Sequence, residues 1–233
     1  MHTAQFKFHD SLNDFLLPRN KNSWINYSFN NTPAVKDAIE AIGIPHVEVK
    51  EISINGNAAG FYHPLHSNDT IEVYPFTQIF SSPQKFILDV HLGKLARLLR
   101  LLGFDTLYQN NFTETTIITL AAQEERIVLT RDVGLLKNKT IELGYWLRSQ
   151  QPLEQANEVL HRFVLKDKIQ PFKRCLVCNG LIELVNKENV IAHFPPNTID
   201  FFNEFYQCEN CKRVYWKGSH YERMIQLIQK LAG

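Results

Sequence analysis

Two Cys-x-x-Cys pairs restrict the fold of this 233-residue chain more than any other feature. They hold all four cysteines: Cys175 and Cys178 form the first pair, and Cys208 and Cys211 form the second, after a spacer of 29 residues. Each pair can turn two thiolates towards one ion, and four thiolates complete the tetrahedron that structural zinc prefers. We therefore predict a zinc ribbon with structural Zn²⁺ here, in preference to redox-active cysteines or disulfides.

The surroundings of the predicted ribbon allow two interpretations. His193 and His220 are alternative zinc ligands, although a full cysteine set leaves them no position. Basic and aromatic residues also cluster there, and together they suit single-stranded nucleic acid through phosphate contacts and base stacking. These residues are Arg174, Lys212, Arg213, Tyr215, Trp216 and Lys217. The alternative is that at least one of the two aromatic residues packs the ribbon against the rest of the chain.

Composition excludes several classes of protein. Hydrophobic residues make up 44% and charged residues 21% of the chain, which is typical of a globular protein and not of a disordered one. A formal net charge of +1 gives no bulk attraction to nucleic acid or to a membrane surface. Residues 1–7 show no targeting segment, and basic residues interrupt the apolar run at 92–104. We therefore expect no membrane span and a cytoplasmic location.

Residues 1–80 follow the order of strands and one helix that is typical of a β-grasp (ubiquitin-like) fold. An apolar helical stripe from Val35 to Ile42, followed by Gly43, predicts the helix. Three segments resemble the small sulfur-carrier proteins of cofactor biosynthesis, which use a free Gly-Gly tail. These segments are 42–49, 54–56 and 69–75. No such tail follows the module, so we expect a docking module with a protein partner and not a carrier.

Residues 85–170 alternate strands with helices, which predicts a parallel sheet with right-handed crossovers. Asp89 and Asp132 each follow a predicted strand, and Glu114 begins the helix after another. Ligands bind at the carboxyl ends of parallel strands, so we expect these acids to meet at one edge. Clustered carboxylates need a divalent cation, and their oxygens suit Mg²⁺ or Mn²⁺. The alternative for each aspartate is a helix N-cap, and Asp105 is interpreted as a turn or cap residue.

Basic residues recur on the helix after the first acid. Lys94, Arg97 and Arg100 follow one another every three residues and form one predicted stripe. With Arg131, the neighbour of Asp132, they are candidates for binding substrate phosphates. The alternative is an ordinary solvated face opposite the leucines.

Several of these motifs resemble the Mut-seven C-terminal RNase family. They lie at 86–89, 92–105, 129–132, 174–179 and 214–220. The resemblance implies a PIN-like nuclease core with a zinc ribbon, preceded by the ubiquitin-like domain that accompanies the family. It also implies that Asp89 and Asp132 are the first and third metal-binding acids. Glu114 stands where the family usually has Asp, and no fourth acid is assigned.

The sequence as a whole predicts an α+β and α/β protein. We expect a β-grasp domain at 1–80, a PIN-like Rossmannoid parallel sheet at 85–170, and a zinc ribbon with a closing helix at 171–233. The predicted function is that of a metal-dependent ribonuclease, an enzyme that hydrolyses RNA phosphodiester bonds and leaves 5′-phosphates. The alternative is a non-catalytic RNA-binding or adaptor protein on the same fold, which divalent-ion-dependent cleavage of labelled RNA would distinguish.

Overall fold

The computed structural model describes residues 1–78, 85–190 and 202–233. The chain forms two compact units, each built from two stretches. The unit that we call the grasp unit contains residues 1–79 and 114–146, and the ribbon unit contains 80–113 and 147–233. The predicted domain bounds stay predictions, because the junction at 80–85 lies almost entirely outside the described residues.

Strands and helices follow one another along the described chain as follows. The strands are β1 (His2–Phe8), β2 (Ile25–Phe29), β3 (Val49–Ile54), β4 (Asn57–Ala59), β5 (Thr70–Pro75), β6 (Lys85–Leu88), β7 (Asp105–Leu107), β8 (Ile127–Thr130), β9 (Gly144–Trp146), β10 (Ile182–Val185), β11 (Phe205–Cys208) and β12 (Val214–Trp216). The helices are α1 (Val35–Ile42), α2 (Gly93–Leu101), α3 (Glu114–Glu124), α4 (Val133–Leu136), α5 (Pro152–Arg162) and α6 (Tyr221–Ala232).

The first five strands form one sheet in the order β2-β1-β5-β3-β4. Strands β1 and β5 are parallel, and the other pairs are antiparallel. Alternate residues of β1 point into the core, where Phe6 and Phe8 pair in register with Ile71 and Val73. Helix α1 packs its apolar side on the same core and ends at Gly43, whose φ of +131° favours glycine. The predicted β-grasp fold is confirmed.

The second stretch of the grasp unit packs against the β-grasp fold. Strands β8 and β9 are parallel, and β9 lies against a 3-10 turn at His46–Glu48. The buried Glu48 accepts a hydrogen bond from the Trp146 backbone N–H at 2.8 Å, and the Trp146 ring lies 4.8 Å from that of Phe15. His46 Nε2 donates to the Ile141 carbonyl at 2.9 Å. Part of the β-grasp surface is therefore occupied by a segment of the same chain.

The ribbon unit contains a further parallel strand pair and a three-stranded antiparallel sheet. Strand β6 pairs in parallel with β7, and α2 packs against α5 beside them. Phe86 of β6 fills this core together with Phe104 and Phe163. Strands β10, β11 and β12 form the antiparallel sheet in that order. Parallel strands that alternate with helices confirm the predicted α/β class for this part of the chain.

The helices that the structure describes, α1 to α6, are all short. None of them combines the length and the apolar character that crossing a bilayer requires. The cytoplasmic location stays a prediction.

Candidate active site and metal centre

Asp89 follows β6 directly and lies in the loop that leads to α2. Its side chain is 8% exposed, and Oδ1 accepts a hydrogen bond from the His91 backbone N–H at 2.9 Å. Tyr108 braces the loop, because its hydroxyl donates to the Val90 carbonyl at 3.0 Å. Gly93 allows this contact, since a Cβ at that position would lie 2.7 Å from the Tyr108 hydroxyl oxygen. The carboxylate is thus held in one orientation at the carboxyl end of its strand.

Asp132 is the N-cap of α4, just after β8. Its Oδ1 accepts hydrogen bonds from the backbone N–H groups of Gly134, at 2.7 Å, and Leu135, at 3.4 Å. Its own N–H donates to the Thr130 hydroxyl at 2.9 Å. The capping role considered for this residue is therefore real. Capping engages Oδ1, and the side chain as a whole is exposed to solvent.

Glu114 is the first residue of α3, and its side chain is exposed. Arg131 is half-buried, and its carbonyl accepts a hydrogen bond from the Trp146 indole N–H at 3.1 Å. Glu114 and Asp132 belong to the grasp unit, whereas Asp89 belongs to the ribbon unit. A metal site shared by the three acids therefore stays a prediction.

The three residues of the predicted basic stripe do not share one exposed face of α2. Lys94 and Arg97 are exposed on α2, but Arg100 is only 2% exposed. A spacing of three residues falls about 60° short of a full helical turn, so two such steps rotate Arg100 away from Lys94 by about 120°. This rotation carries the Arg100 side chain into the interior. The substrate-binding role predicted for Arg100 is accordingly corrected to a structural one.

The Arg100 guanidinium joins β7 to the first cysteine pair. Nε donates to the Thr106 carbonyl and Nη1 to the Val177 carbonyl, both at 2.9 Å. Longer bonds of 3.3 Å reach the carbonyls of Leu176 and Tyr108. Burial lowers the pKa of Arg100, and the nearby cysteines oppose that shift. The charged side chain therefore links β7 to the first cysteine pair by hydrogen bonds within the ribbon unit.

Asn179, directly after the first cysteine pair, makes a second set of hydrogen bonds between these two parts. Its φ of +71° lies in the left-handed region, which asparagine tolerates better than most residues. The amide accepts a hydrogen bond from the Thr106 N–H at 2.9 Å and donates to Asp105 Oδ1 at 2.8 Å. Arg174 also pairs with Asp105, at 3.3 Å. Asp105 thus anchors the cysteine loop, and its predicted role as a turn or cap residue is corrected.

The four cysteines come together as the sequence predicted. Their sulfur atoms all lie within 4.8 Å of one another. The Sγ atoms of Cys175 and Cys211 are 3.6 Å apart, and those of Cys178 and Cys208 are 3.4 Å apart. A tetrahedral ZnS₄ site with bonds of 2.3 Å requires about 3.8 Å between sulfur atoms. The cluster can therefore hold a metal such as zinc.

The pKa values of two thiols in the cluster shift in opposite directions. Burial raises the pKa of the Cys175 thiol, but hydrogen bonds from the Tyr215 hydroxyl and the Cys178 backbone N–H outweigh it and lower the pKa to about 6. Burial, reinforced by hydrogen-bonded thiols, raises the pKa of Cys211 to about 12. All four sulfur atoms can therefore be deprotonated together only beside the positive charge of a cation. Of the alternative ligands, His220 is the exposed N-cap of α6, and His193 lies outside the described residues.

The sequence interpretation missed two contributions to these sites. The burial of Arg100 could have been predicted, because residues spaced three apart do not stay on one face of a helix. The hydroxyl of Tyr215 lies 3.0 Å from Cys175 Sγ, so this residue supports a candidate zinc ligand. A tyrosine four residues after the last cysteine gives no sign of such a contact in the sequence.

Comparison with known proteins gives no match among curated proteins. Solved structures do match. Small archaeal modifier protein 1 of Haloferax volcanii is 14% identical, with a TM-score of 0.27 over 32% of this chain and 98% of that chain. A Pyrococcus furiosus protein under the provisional name molybdopterin converting factor, subunit 1, is 17% identical, with a TM-score of 0.26 over 32% of this chain and 98% of that chain.

Two family descriptions match consecutive stretches of the chain. Mut7-C ubiquitin matches residues 1–81, and Mut7-C RNAse domain matches residues 84–228. The family and the domain order that the resemblance implied are confirmed, and a ribonuclease-type function is supported. The second match spans more than half of the chain, and the chain therefore belongs to the Mut7-C RNAse domain family.

Proposed function

We propose that this protein is a metal-dependent ribonuclease that hydrolyses RNA phosphodiester bonds with Asp89, Glu114 and Asp132. The family match supports the reaction class. The observation that carries the finer proposal is that each aspartate follows a strand with a parallel partner. Asp89 follows β6, which pairs with β7, and Asp132 follows β8, which pairs with β9. Ligands and substrates of α/β sheets bind outside such carboxyl ends.

The donor set of these acids fits a hard divalent cation. Carboxylate oxygens are the ligands that Mg²⁺ and Mn²⁺ prefer. Oδ1 of Asp89 and Oδ1 of Asp132 each accept backbone N–H groups, which fixes the two carboxylates before any ion arrives. A bound Mg²⁺ or Mn²⁺ would supply positive charge that offsets the charge of the phosphate under attack.

The exposed basic residues orient the substrate in this proposal. Lys94 and Arg97 lie on the helix that follows Asp89, and Arg131 precedes Asp132. Each can contact phosphate oxygens of the RNA backbone, which gives affinity without sequence preference. Water adds to the phosphorus atom and the bond to O3′ breaks, so that the products carry a 5′-phosphate and a 3′-hydroxyl.

Cleavage of 5′-labelled single-stranded RNA tests this proposal. We expect the wild-type protein to cut with added Mn²⁺ or Mg²⁺ and not without it. Asp89→Asn and Asp132→Asn should each lower the rate at least about a hundredfold, as loss of an electrostatic group does in other active sites. Asp167→Asn, which changes an exposed acid of the ribbon unit, is the matched control and should cut at the wild-type rate. Cleavage that survives both active-site substitutions would exclude these acids.

The second candidate function is a non-catalytic RNA-binding or adaptor protein. The ubiquitin-like domain favours protein interaction, and a partner of this module remains part of the proposal. RNA binding without any metal-dependent product would support this alternative. The zinc proposal holds in both cases, because a site closed by four thiolates is structural and takes no part in hydrolysis.

A further inference from the structure

A groove in the ribbon unit has one face of the three-stranded sheet as its floor. Leu184, Tyr206 and Tyr215 lie side by side in register across β10, β11 and β12, and all three line the groove. Its volume is about 320 Å³. Neighbouring strands of a sheet bring such side chains within contact distance, so they form a continuous apolar and aromatic row.

Among the described residues, the two faces of this sheet differ in burial. On the opposite face, Phe205 is buried against Val190, with Val185 and Val214 beside it. On the groove face, Leu184 is 67% exposed. Tyr206 and Tyr215 beside it are half-buried, so the row leaves apolar and aromatic surface accessible to a ligand.

The walls of the groove add aromatic faces and positive charge. Phe172 and Tyr221 stack on each other, with ring centroids 5.2 Å apart and planes at 25°. The lining residues include the cations Lys173, Arg174 and Lys217, and among these lining residues, all in the described chain, there is no acid. Lys217 Nζ also lies 6.0 Å from the Tyr221 ring.

Two of these cations have acidic partners outside the groove. Lys217 pairs with Glu204 at 2.5 Å on an exposed surface, and Arg174 pairs with Asp105 at 3.3 Å. Exposed pairs of this kind contribute only about 0–1 kcal/mol, so a phosphate can compete for Lys217. The Lys173 ammonium instead contacts the neutral Gln170 amide at 2.9 Å. Positive charge therefore remains available along the groove.

An aromatic floor with a cationic rim matches the chemistry of single-stranded nucleic acid. Every nucleobase has a π-face that can stack on an aromatic ring, and lysines track the phosphates. An apolar peptide would use the floor, but it would make no use of the positive charge along the rim. We propose that this groove binds nucleobases of single-stranded RNA. In the proposed ribonuclease it would bind a part of the substrate strand other than the nucleotides at the cleaved bond. This inference rests on the proposed function for the identity of the ligand.

Binding of a fluorescein-labelled uridine dodecamer, followed by anisotropy without divalent ions, tests the groove directly. Tyr206→Leu keeps apolar volume and removes the aromatic face, and we expect about tenfold weaker binding. Tyr206→Phe keeps the ring and should bind within about twofold of the wild type. Lys217→Gln should reduce the slope of log affinity against log salt by about 0.7, the value for one phosphate contact with a single strand.

A matched control lies in the grasp unit, where Lys7 Nζ stands 5.8 Å from the ring of Trp24, a residue that is 45% exposed. Trp24→Leu should leave the affinity unchanged, although it removes an exposed aromatic ring beside a lysine. Zinc content of every variant, measured by metal analysis, verifies that the ribbon is intact. Wild-type affinity of Tyr206→Leu with full zinc content would overturn the inference, as would an equal loss in Trp24→Leu.

The two proposals fail in different ways. If the wild type shows no metal-dependent cleavage but Tyr206→Leu still weakens RNA binding, the groove is upheld and the hydrolase proposal is wrong. If cleavage requires Asp89 while Tyr206→Leu keeps both the affinity and KM of the wild type, the groove is rejected and the hydrolase proposal stands.

Discussion

Substituting Arg100 with methionine should destabilise the protein without acting through RNA. The methionine fills similar volume, but the carbonyls of Thr106 and Val177 each lose a charged donor at 2.9 Å. A hydrogen bond from a charged group contributes about 1.5–3 kcal/mol. Part of the loss is offset, because the guanidinium no longer has to be removed from water. We expect the free energy of unfolding to fall by about 3 kcal/mol.

Urea denaturation followed by circular dichroism measures this change. With a dependence on urea of about 2 kcal/mol per molar, the midpoint should fall by about 1.5 M. Arg97→Met, on the same helix but exposed, is the matched control and should change the free energy of unfolding by less than about 0.5 kcal/mol. Arg100→Lys keeps the charge but not the fork of donors, so it should recover only part of the stability.

The opposite pattern would refute the structural role. If Arg100→Met unfolds at the wild-type urea concentration but binds RNA several-fold more weakly, the side chain is a phosphate contact. In that case the burial of its guanidinium among backbone carbonyls would not describe the protein in solution.

Three further predictions concern other contacts. Glu48→Ala leaves a backbone N–H of β9 unpaired and should cost about 2 kcal/mol in thermal unfolding, whereas the exposed Glu51→Ala should cost under about 0.5 kcal/mol; equal effects would contradict this role. The purified protein should contain one zinc ion per chain, and Cys208→Ser should lose most of it in metal analysis; full retention would rule out the four-thiolate site. Gly103→Ala should lower stability by about 2 kcal/mol or more, because its φ is +96° and a Cβ there would clash with the Gln170 carbonyl; an unchanged melting temperature would oppose this.

Much of the local structure follows from the sequence because it depends on short-range patterns. Helix α1 ends at Gly43, as the apolar stripe and the glycine predict, since glycine tolerates the positive φ of that position. The aspartates follow β6 and β8 where the strand patterns place them. The residue before α1 is Ala34, whose side chain makes no capping bond, so this helix begins without a side-chain cap.

The roles of individual polar side chains were harder to predict. Arg100 and Arg97 are alike in sequence, and a small rotation around α2 decides that one is buried and the other exposed. Asp105 and Asn179 lie far apart along the chain, and only folding brings the carboxylate and the amide to 2.8 Å. Local sequence patterns contain no information about a partner that lies at such a separation.

The sequence alone determined the family, the β-grasp and α/β classes, and a set of four thiolates suited to zinc, because motif spacing and hydrophobic periodicity are properties of the chain itself. Only the tertiary structure decided that the Arg100 guanidinium is buried among backbone carbonyls, and that Leu184, Tyr206 and Tyr215 lie side by side in the ribbon sheet. Burial and hydrogen bonding depend on which elements pack together, and residues distant in sequence supply those contacts.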